Sequence, residues 1–168
     1  VKAAISLFED RLDAFNVVVT EHPGHATELA RQAARQADVV VAAGGDGTVN
    51  EVMNGLVGTG VPLGVLPVGT ANVLAHEIGI GHDVASAVNV ICTGRAKHIQ
   101  LGRADNKRFL LMAGAGFDAE VVYTVNSAVK THHPNISYIL SGLRVLRRGL
   151  PWQVEVQVGD QCYRAHTA

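Results

Sequence analysis

The stretch VVVAAGGDGTVNEVMNGL, residues 39–56, decides the fold of this chain. Its apolar opening predicts a buried strand, the glycines predict a tight turn, and the residues after them predict a helix that begins near Thr48. Such a turn presents backbone N–H groups to a phosphate, and the positive end of the helix dipole adds to the attraction. Asp46 is the unexpected member, because a carboxylate repels a phosphate unless a magnesium ion lies between them. The stretch therefore predicts a site for a nucleotide triphosphate and its metal.

The composition indicates a soluble globular protein. The chain has 168 residues with 18 glycines, 48% hydrophobic residues and 17% charged residues, which is typical of a folded α/β domain and argues against disorder. The formal net charge of −1 gives no general attraction to nucleic acid, so we expect no nucleic-acid partner. No apolar run reaches the ~20 residues that span a bilayer and no signal peptide opens the chain, which favours a cytoplasmic location. Cys92 and Cys162 lack the spacing of a metal site and lie far apart, which favours a reducing compartment. Both side chains are expected to pack within the fold.

Strands and helices alternate over the first half of the chain. Predicted strands cover residues 16–20, 38–43 and 62–66, each followed by a helical pattern, and Asp83 is expected to cap a further helix that runs to about residue 93. This order predicts an α/β fold with a doubly wound parallel sheet, and we assign residues 1–93 to a nucleotide-binding domain. Because the first residues already have helical spacing, we expect the opening strand of that domain to be missing.

The pattern changes after Gly94. Residues 97–101 and 108–112 predict a hairpin around residues 104–107, and residues 152–158 alternate as a strand followed by the return arm of a second hairpin. A glycine-rich link at residues 114–117, a helical stretch, a polar loop at residues 130–135 and a helix at residues 136–148 lie between the hairpins. We assign residues 94–168 to the first part of a β-rich second domain that is cut short at Ala168.

A second glycine turn, PVGTAN at residues 67–72, follows the third predicted strand. Turns at the carboxyl ends of neighbouring parallel strands lie at one edge of the sheet, where ligands bind. Thr70 lies in this turn, and Thr20 ends the first predicted strand, so both hydroxyls are expected near Asp46. Either hydroxyl can donate to a phosphate or ribose oxygen. For Thr70, a role as the N-cap of the next helix is an equally good interpretation.

Other polar residues have simpler interpretations. Glu51 is expected to favour the dipole of its helix or to form a capping box. For His22 and His25, loop packing and capping are favoured over a metal pair. The run GAGFDA at residues 114–119 matches a dinucleotide fingerprint, but no acidic residue follows about 20 positions later and the run does not open a βαβ unit, so a dehydrogenase is rejected.

Three segments together resemble a known family. AGGDGTVNEVMNGL, PLGVLPVGTANVLAHEIGI and FLLMAGAGFDAEVV are similar to the catalytic domain of the diacylglycerol kinase and sphingosine kinase superfamily, and above all to its bacterial soluble lipid kinases. GGDGT alone is shared with NAD kinases, whereas GGDGT followed by NE and then by PxGTxN is much more specific to the lipid kinases. The similarity covers nearly the whole chain in the same order.

The resemblance implies an ATP-dependent lipid kinase that phosphorylates a lipid hydroxyl, with diacylglycerol as the default acceptor. It implies Asp46 as the catalytic residue, whose carboxylate organises magnesium and the phosphates. The residues that it implies in nucleotide binding are Thr20, Gly44, Gly45, Asp46, Gly47, Thr48, Val49, Asn50 and Thr70. The implied cofactors are ATP and Mg²⁺. The implied partners are a lipid alcohol and, transiently, the inner face of a membrane, which the helix at residues 136–148 is a candidate to contact. A homodimer is left open.

The chain departs from the family pattern in three places. The opening strand with its NPxSG turn is missing, and the family's acidic general base is expected beyond Ala168, so residues 1–168 are expected to be an inactive fragment. Val73 and Gln100 replace two family acids, which weakens the usual carboxylate–magnesium network.

Two alternatives to a lipid kinase remain. One is a small-molecule kinase of the NAD kinase type, against which the absence of an aromatic, nicotinamide-type motif after the second turn argues. The other is a non-catalytic nucleotide-binding or regulatory module that has lost its acids.

Overall fold

The computed structural model describes residues 2–114, 119, 152–158 and 160–167. The chain forms two compact units, Val1–Met112 and Ala113–Ala168. The helices and strands in chain order are α1 Lys2–Glu9, α2 His25–Ala33, β1 Val40–Gly44, α3 Asp46–Leu56, β2 Leu63–Pro67, α4 Val73–Glu77, α5 Val84–Thr93, β3 Gly102–Ala104, β4 Lys107–Phe109, β5 Trp152–Val158 and β6 Gln161–Thr167. The first nine belong to the first unit, and the last two to the second.

The centre of the first unit is a parallel pair of strands. β1 and β2 pair in register from Val40 opposite Leu63 to Gly44 opposite Pro67. Parallel neighbours need a crossover connection, and α3 supplies it. The predicted strand–helix–strand order at the first glycine turn is therefore confirmed, and so is the α/β class. The doubly wound arrangement stays a prediction, because the two-stranded pair is the whole parallel sheet within the described residues.

Small side chains let α2 pack closely on α3. Ala26 and Ala30 are buried on one face of α2. A Cβ atom added to Gly55 of α3 would lie 2.8 Å from the Cβ of Ala30 and 2.4 Å from the carbonyl oxygen of Thr27. The two helix backbones can approach because no side chain stands between them at this point.

α5 packs against β2 of the parallel sheet. Its N-cap is Asp83, whose carboxylate accepts a hydrogen bond of 2.8 Å from the main-chain N–H of Ser86, as the sequence predicts. Ala87 and Val88 are fully buried, and Ile91 packs directly over Gly64 of β2. The helix is therefore fixed at its start by a cap and along its length by apolar contact.

The strand predicted at residues 16–20 is not formed within the described part of the chain. The segment has no regular secondary structure, and Val17, Val18 and Val19 are 51%, 58% and 77% exposed. A strand is defined by its ladder to a neighbour, and this segment makes no ladder with β1 or β2. The β-branched residues of this segment are therefore not sufficient to make it a strand.

A hairpin is present after Gly94 with its turn where predicted, but residues 97–101 form no strand: the paired strands are residues 102–104 and 107–109 instead of 97–101 and 108–112. β3 and β4 pair antiparallel through three residues each, joined by a two-residue turn. Asp105 in the turn has φ 51°, a left-handed conformation that Asp tolerates, and this tightens the connection. The hairpin belongs to the first compact unit, which reaches Met112. The predicted boundary between two domains after residue 93 is not tested and stays a prediction.

The second unit is described through its hairpin of β5 and β6, which pair antiparallel over seven residues each. The predicted return arm is confirmed. Glu155 lies opposite Arg164, and their side chains form an exposed ion pair of 2.9 Å. Cys162 is exposed, so the expectation that it packs is wrong, whereas Cys92 is half-buried against the core. The predictions for residues 115–118 and 120–151, including the helix at 136–148, lie outside the described residues.

Candidate functional site

α3 begins at Asp46, two residues earlier than the sequence predicts. Gly45 is its N-cap with an extended conformation, and the first intrahelical bond runs from the N–H of Val49 to the carbonyl of Gly45. The N–H groups of the first residues of a helix have no intrahelical acceptor. In α3 these groups belong to Asp46, Gly47 and Thr48. The earlier start therefore places the acid and the donors on the same helical turn.

The carboxylate of Asp46 joins the two glycine turns. Its Oδ1 accepts a hydrogen bond of 3.4 Å from the main-chain N–H of Leu74, which lies in α4 after the second turn. Asp46 itself is half-buried. Its other carboxylate oxygen, Oδ2, is then the atom available to a cation at the edge of the sheet.

The two glycine turns touch each other through main-chain atoms. A Cβ atom added to Gly69 would lie 2.3 Å from the Cα of Gly45 and 2.8 Å from its nitrogen. The N–H of Val68 also donates to the carbonyl of Gly44 at 3.4 Å. The expectation that both turns lie at the carboxyl edge of neighbouring strands is confirmed, and the contact is closer than any side chain allows.

Asn72 shapes the second turn, and sequence reasoning missed it. It is 4% exposed and has φ 50°. Its Oδ1 accepts from the N–H of Gly69 at 3.0 Å, and its Nδ2 donates to the carbonyl of Gly69 at 2.8 Å. Asn72 also occupies the N-cap position of α4, so the alternative that Thr70 is the N-cap is wrong. The signal was the final residue of PVGTAN, since Asn is the non-glycine residue that most readily adopts this conformation.

A pocket of about 420 Å³ lies at the start of α3. Pockets for small ligands are commonly ~300–1,000 Å³. Thr20 lies there with Gly47 and Thr48, but Asp46, near which Thr20 was expected, does not line this pocket. Its complete lining is Thr20, Glu21, His22, Pro23, Ala26, Gly47, Thr48 and Glu51. Thr70 is exposed and does not line this pocket, and the side chain of Val49 is buried in the core, so only the main chain of Val49 can face a ligand.

Glu51 fixes the far wall of the pocket. Its Oε1 accepts a hydrogen bond of 2.9 Å from the N–H of Gly24, and its carbonyl accepts from the hydroxyl of Thr27 at 2.9 Å. Gly24 is the N-cap residue of α2. The expected capping box within its own helix is wrong: Glu51 lies in the second turn of α3 and caps the neighbouring helix instead.

The two histidines of the pocket loop pack on each other. The rings of His22 and His25 are stacked with centroids 4.6 Å apart, and Nδ1 of His25 accepts from the N–H of Glu21. The preference for loop packing is confirmed, whereas in this part of the chain, which the structure describes in full, neither ring accepts from an N–H of the first turn of α2, so the capping part of that interpretation is wrong. Among the residues that the structure describes, no group of three or more His, Cys, Asp or Glu side chains is placed to hold a metal ion.

Asn50 carries an unused acceptor one helical turn after Gly47. Its Oδ1 is buried and has no hydrogen-bond partner. Buried amide oxygens in folded proteins are nearly always paired with a protein donor or an ordered water. The atom therefore marks a place where a donor from outside the chain fits.

Comparison with known proteins identifies the family. The sequence profile of the diacylglycerol kinase catalytic domain matches residues 1–104. The chain belongs to this family. The matched residues include both glycine turns and Asn72, so these turns are part of the diacylglycerol kinase catalytic domain.

Several members of the diacylglycerol kinase family are similar along most of the chain. A diacylglycerol kinase of Bacillus subtilis is 38% identical over 145 residues, covering 84% of this chain and 48% of that protein. A Klebsiella pneumoniae protein named "Probable lipid kinase YegS-like" is 34% identical over 160 residues, covering 93% of this chain and 54% of that protein. The chain thus spans about half the length of the curated relatives it matches.

The fold is also that of a solved member of the diacylglycerol kinase family. A crystal structure of a diacylglycerol kinase from Bacillus anthracis superposes with a TM-score of 0.69 at 23% identity, covering 96% of this chain and 53% of that one. Among the helices that the structure describes, none is both long enough and apolar enough to cross a bilayer.

Proposed function

We propose that the protein is a lipid kinase that uses ATP and Mg²⁺ to phosphorylate the hydroxyl of a diacylglycerol-like lipid. The observation that supports this most directly is the carboxylate of Asp46 on the first turn of α3, in a chain that belongs to the diacylglycerol kinase catalytic-domain family. Because the chain spans about half the length of its relatives, the activity is proposed for the whole protein.

The residues at the edge of the sheet fit magnesium and a nucleotide. Mg²⁺ is usually held by one or two carboxylates together with phosphate oxygens and water, so the single acid Asp46 is sufficient. Asn50 Oδ1, a buried acceptor without a partner, suits a bound water or a ligand hydroxyl. When bound, ATP supplies the phosphoryl group and magnesium neutralises its phosphate oxygens.

The chain's own groups position the nucleotide. The N–H groups at the start of α3 donate to phosphate oxygens, and the helix dipole favours negative charge there. The hydroxyls of Thr20 and Thr48 lie on the lining of the same pocket and can donate to phosphate or ribose. The bond from Leu74 to Asp46 fixes the carboxylate before the ligand arrives. Phosphoryl transfer depends mainly on such positioning and on charge stabilisation.

As part of the same proposal, the protein works in the cytoplasm and contacts the inner face of the membrane transiently, because its acceptor is a lipid. Thr70 is proposed to contact the nucleotide from the second turn. A homodimer stays a prediction.

The proposal is tested on the full-length protein with labelled ATP, Mg²⁺ and a panel of lipid alcohols that includes diacylglycerol, a sphingoid base and phosphatidylglycerol. We expect transfer to a lipid, with a loss of turnover on the order of 100-fold in Asp46→Asn. The matched control is Asp38→Asn, an exposed acid in the loop before β1.

Two results would contradict the proposal. One is nucleotide binding without transfer to any lipid. The other is an Asp46→Asn variant that loses only metal-dependent binding while turnover per bound nucleotide is unchanged, which indicates a nucleotide-binding module rather than a kinase.

A further inference from the structure

Positive charge is concentrated in residues 95–108, here called the basic segment, which contains the hairpin of β3 and β4. Five of the 14 Lys and Arg residues of the chain lie there, against one of its 15 acids, Asp105. The five cations are Arg95, Lys97, Arg103, Lys107 and Arg108. The segment therefore carries a net charge of +4 in a chain whose other residues sum to −5.

The cations of the basic segment are exposed and uncompensated. All five are exposed, and within the described ranges none of them pairs with a carboxylate. Arg103 and Arg108 are direct cross-strand partners in the hairpin. Like charges directly opposite each other destabilise an antiparallel pair. Folding alone gives no reason for this arrangement, whereas an anionic surface that contacts both guanidinium groups does.

The hairpin is held firmly on the first unit, so its cations are presented in a fixed place. The side chain of Asn54 in α3 brackets Arg108: its Nδ2 donates to the carbonyl of Arg108 at 2.9 Å, and its Oδ1 accepts from the N–H at 3.1 Å. The ring of Phe109 lies over Gly102 so closely that a Cβ atom there would meet it at 2.2 Å. The main chain that carries Arg103, Lys107 and Arg108 is therefore ordered by the fold before any partner binds.

Large apolar side chains are exposed in and just after the basic segment. Ile99 is 59% exposed, Leu111 is 40% exposed and Met112 is 73% exposed. Cations that pair with headgroups beside apolar side chains that enter the acyl boundary are typical of proteins that lie on an anionic bilayer. Nucleic acid would use the charge but not the apolar side chains.

We infer that the basic segment is a docking surface for anionic lipid headgroups, with Arg103, Lys107 and Arg108 as its charged centre. The inference rests on the proposed function in one respect, namely that a lipid acceptor brings the protein to a bilayer. It locates the contact in the first unit, at the opposite end of α3 from Asp46, and independently of the helix predicted at residues 136–148.

The test is co-sedimentation of the full-length protein, without ATP, on vesicles of phosphatidylcholine alone and of phosphatidylcholine with phosphatidylglycerol. Each cation near an anionic surface contributes about a fivefold change in affinity. The double variant Arg103→Gln/Lys107→Gln should therefore bind the anionic vesicles about 25-fold more weakly, and added salt should weaken the wild type. The matched control is Arg31→Gln/Arg35→Gln, which removes two exposed arginines from α2 and the turn after it.

The outcomes separate the docking surface from its alternatives. Wild-type-like vesicle binding by the Arg103/Lys107 variant would overturn the inference, and so would equal losses in both double variants. A loss of binding to RNA without a loss on vesicles would assign the segment to nucleic acid instead. Turnover on a short-chain, water-soluble diacylglycerol is measured in parallel. If no turnover is found while vesicle binding still depends on the basic segment, the proposed function fails and the docking surface stands.

Discussion

The main-chain N–H of Leu74 donates a hydrogen bond of 3.4 Å to Oδ1 of Asp46, so the acid of the first glycine turn is held by the helix that follows the second. One carboxylate oxygen thus links the two turns, and the other, Oδ2, has no hydrogen-bond partner among the described residues and is the one proposed to hold magnesium. Substitutions at Asp46 can separate these two roles.

Asp46→Asn keeps an oxygen acceptor for Leu74, whereas Asp46→Ala removes it. We expect the free energy of unfolding of the Asn variant to fall by no more than about 1 kcal/mol, because the favourable charge at the helix start is lost. The Ala variant should be less stable by about 1 kcal/mol more. Both variants should lose magnesium-dependent ATP binding. Urea denaturation and titration calorimetry measure the two effects, and equal stability of the two variants would mean that the bond to Leu74 contributes nothing.

Gly69→Ala should destabilise the protein and disturb nucleotide binding together. The new Cβ atom would lie 2.3 Å from the Cα of Gly45, and main-chain atoms cannot yield as a flexible side chain does. We expect a loss of about 1–3 kcal/mol in the free energy of unfolding. Urea denaturation measures the loss, and a variant as stable as the wild type would show that the turns can separate freely.

Gly47→Ala is the matched control for Gly69→Ala. A Cβ atom at Gly47 meets nothing within 4 Å, and Ala favours a helix over Gly by roughly 0.5–1 kcal/mol, so stability should be unchanged or higher. Because Gly47 lines the pocket, its new methyl group should still weaken ATP binding. The affinity for ATP should therefore fall in this variant without a loss of stability.

Asn54→Ala should free the β3–β4 hairpin without unfolding the sheet. Two hydrogen bonds to Arg108 are lost, which corresponds to about 1–2 kcal/mol of local stability and to amide exchange at Arg108 that is about 5–30-fold faster. Hydrogen exchange followed by mass spectrometry or NMR measures the change. Asn89→Ala is the control, because the side chain of Asn89 accepts only a surface hydrogen bond from Arg11, and hairpin exchange should not respond to its loss.

The cap of α5 should give stability that disappears in acid. Hydrogen bonds from the hydroxyl and the main-chain N–H of Ser86 hold the pKa of Asp83 below its ordinary value of 3.8. Since the pKa is lower in the folded state, the ionised cap stabilises the protein above that value, and the contribution is lost as pH falls through the folded pKa. Asp83→Ala should therefore be less stable than the wild type near neutral pH, and the difference should shrink below about pH 4. A difference that stays constant with pH would contradict the ionised cap.

The local structure of the first unit could be predicted from sequence wherever the signal was short-range. The apolar run before Gly44, the glycine turn and the cap at Asp83 each fix a local conformation, and each is confirmed. Residues 16–20 had the same apolar, β-branched signal, but a ladder depends on a neighbour that local sequence does not specify. The start of α3 was misplaced by two residues because Gly45 caps the helix through its conformation and not through a side chain.

The candidate site could be predicted only in part from sequence, and its contacts could not. Gly47, Thr48 and Thr20 line one pocket, whereas Asp46 and Thr70 do not line it. The hydrogen bond from Leu74 to Asp46 and the hydrogen bond from Gly24 to Glu51 both cross between elements. Such contacts depend on how helices pack, and periodicity in the sequence carries no information about them.

Because Gly69 lies directly against the backbone of Gly45, the two loops form one structural unit. Gly69 cannot accept a bulkier residue unless the backbone at Gly45 relocates at the same time, whereas a Cβ atom at Gly45 would meet the Cα of Gly69 at an ordinary contact distance of 3.4 Å. A protein engineer who wishes to transplant the phosphate-facing loop into another scaffold must move residues 44–50 and 67–74 jointly.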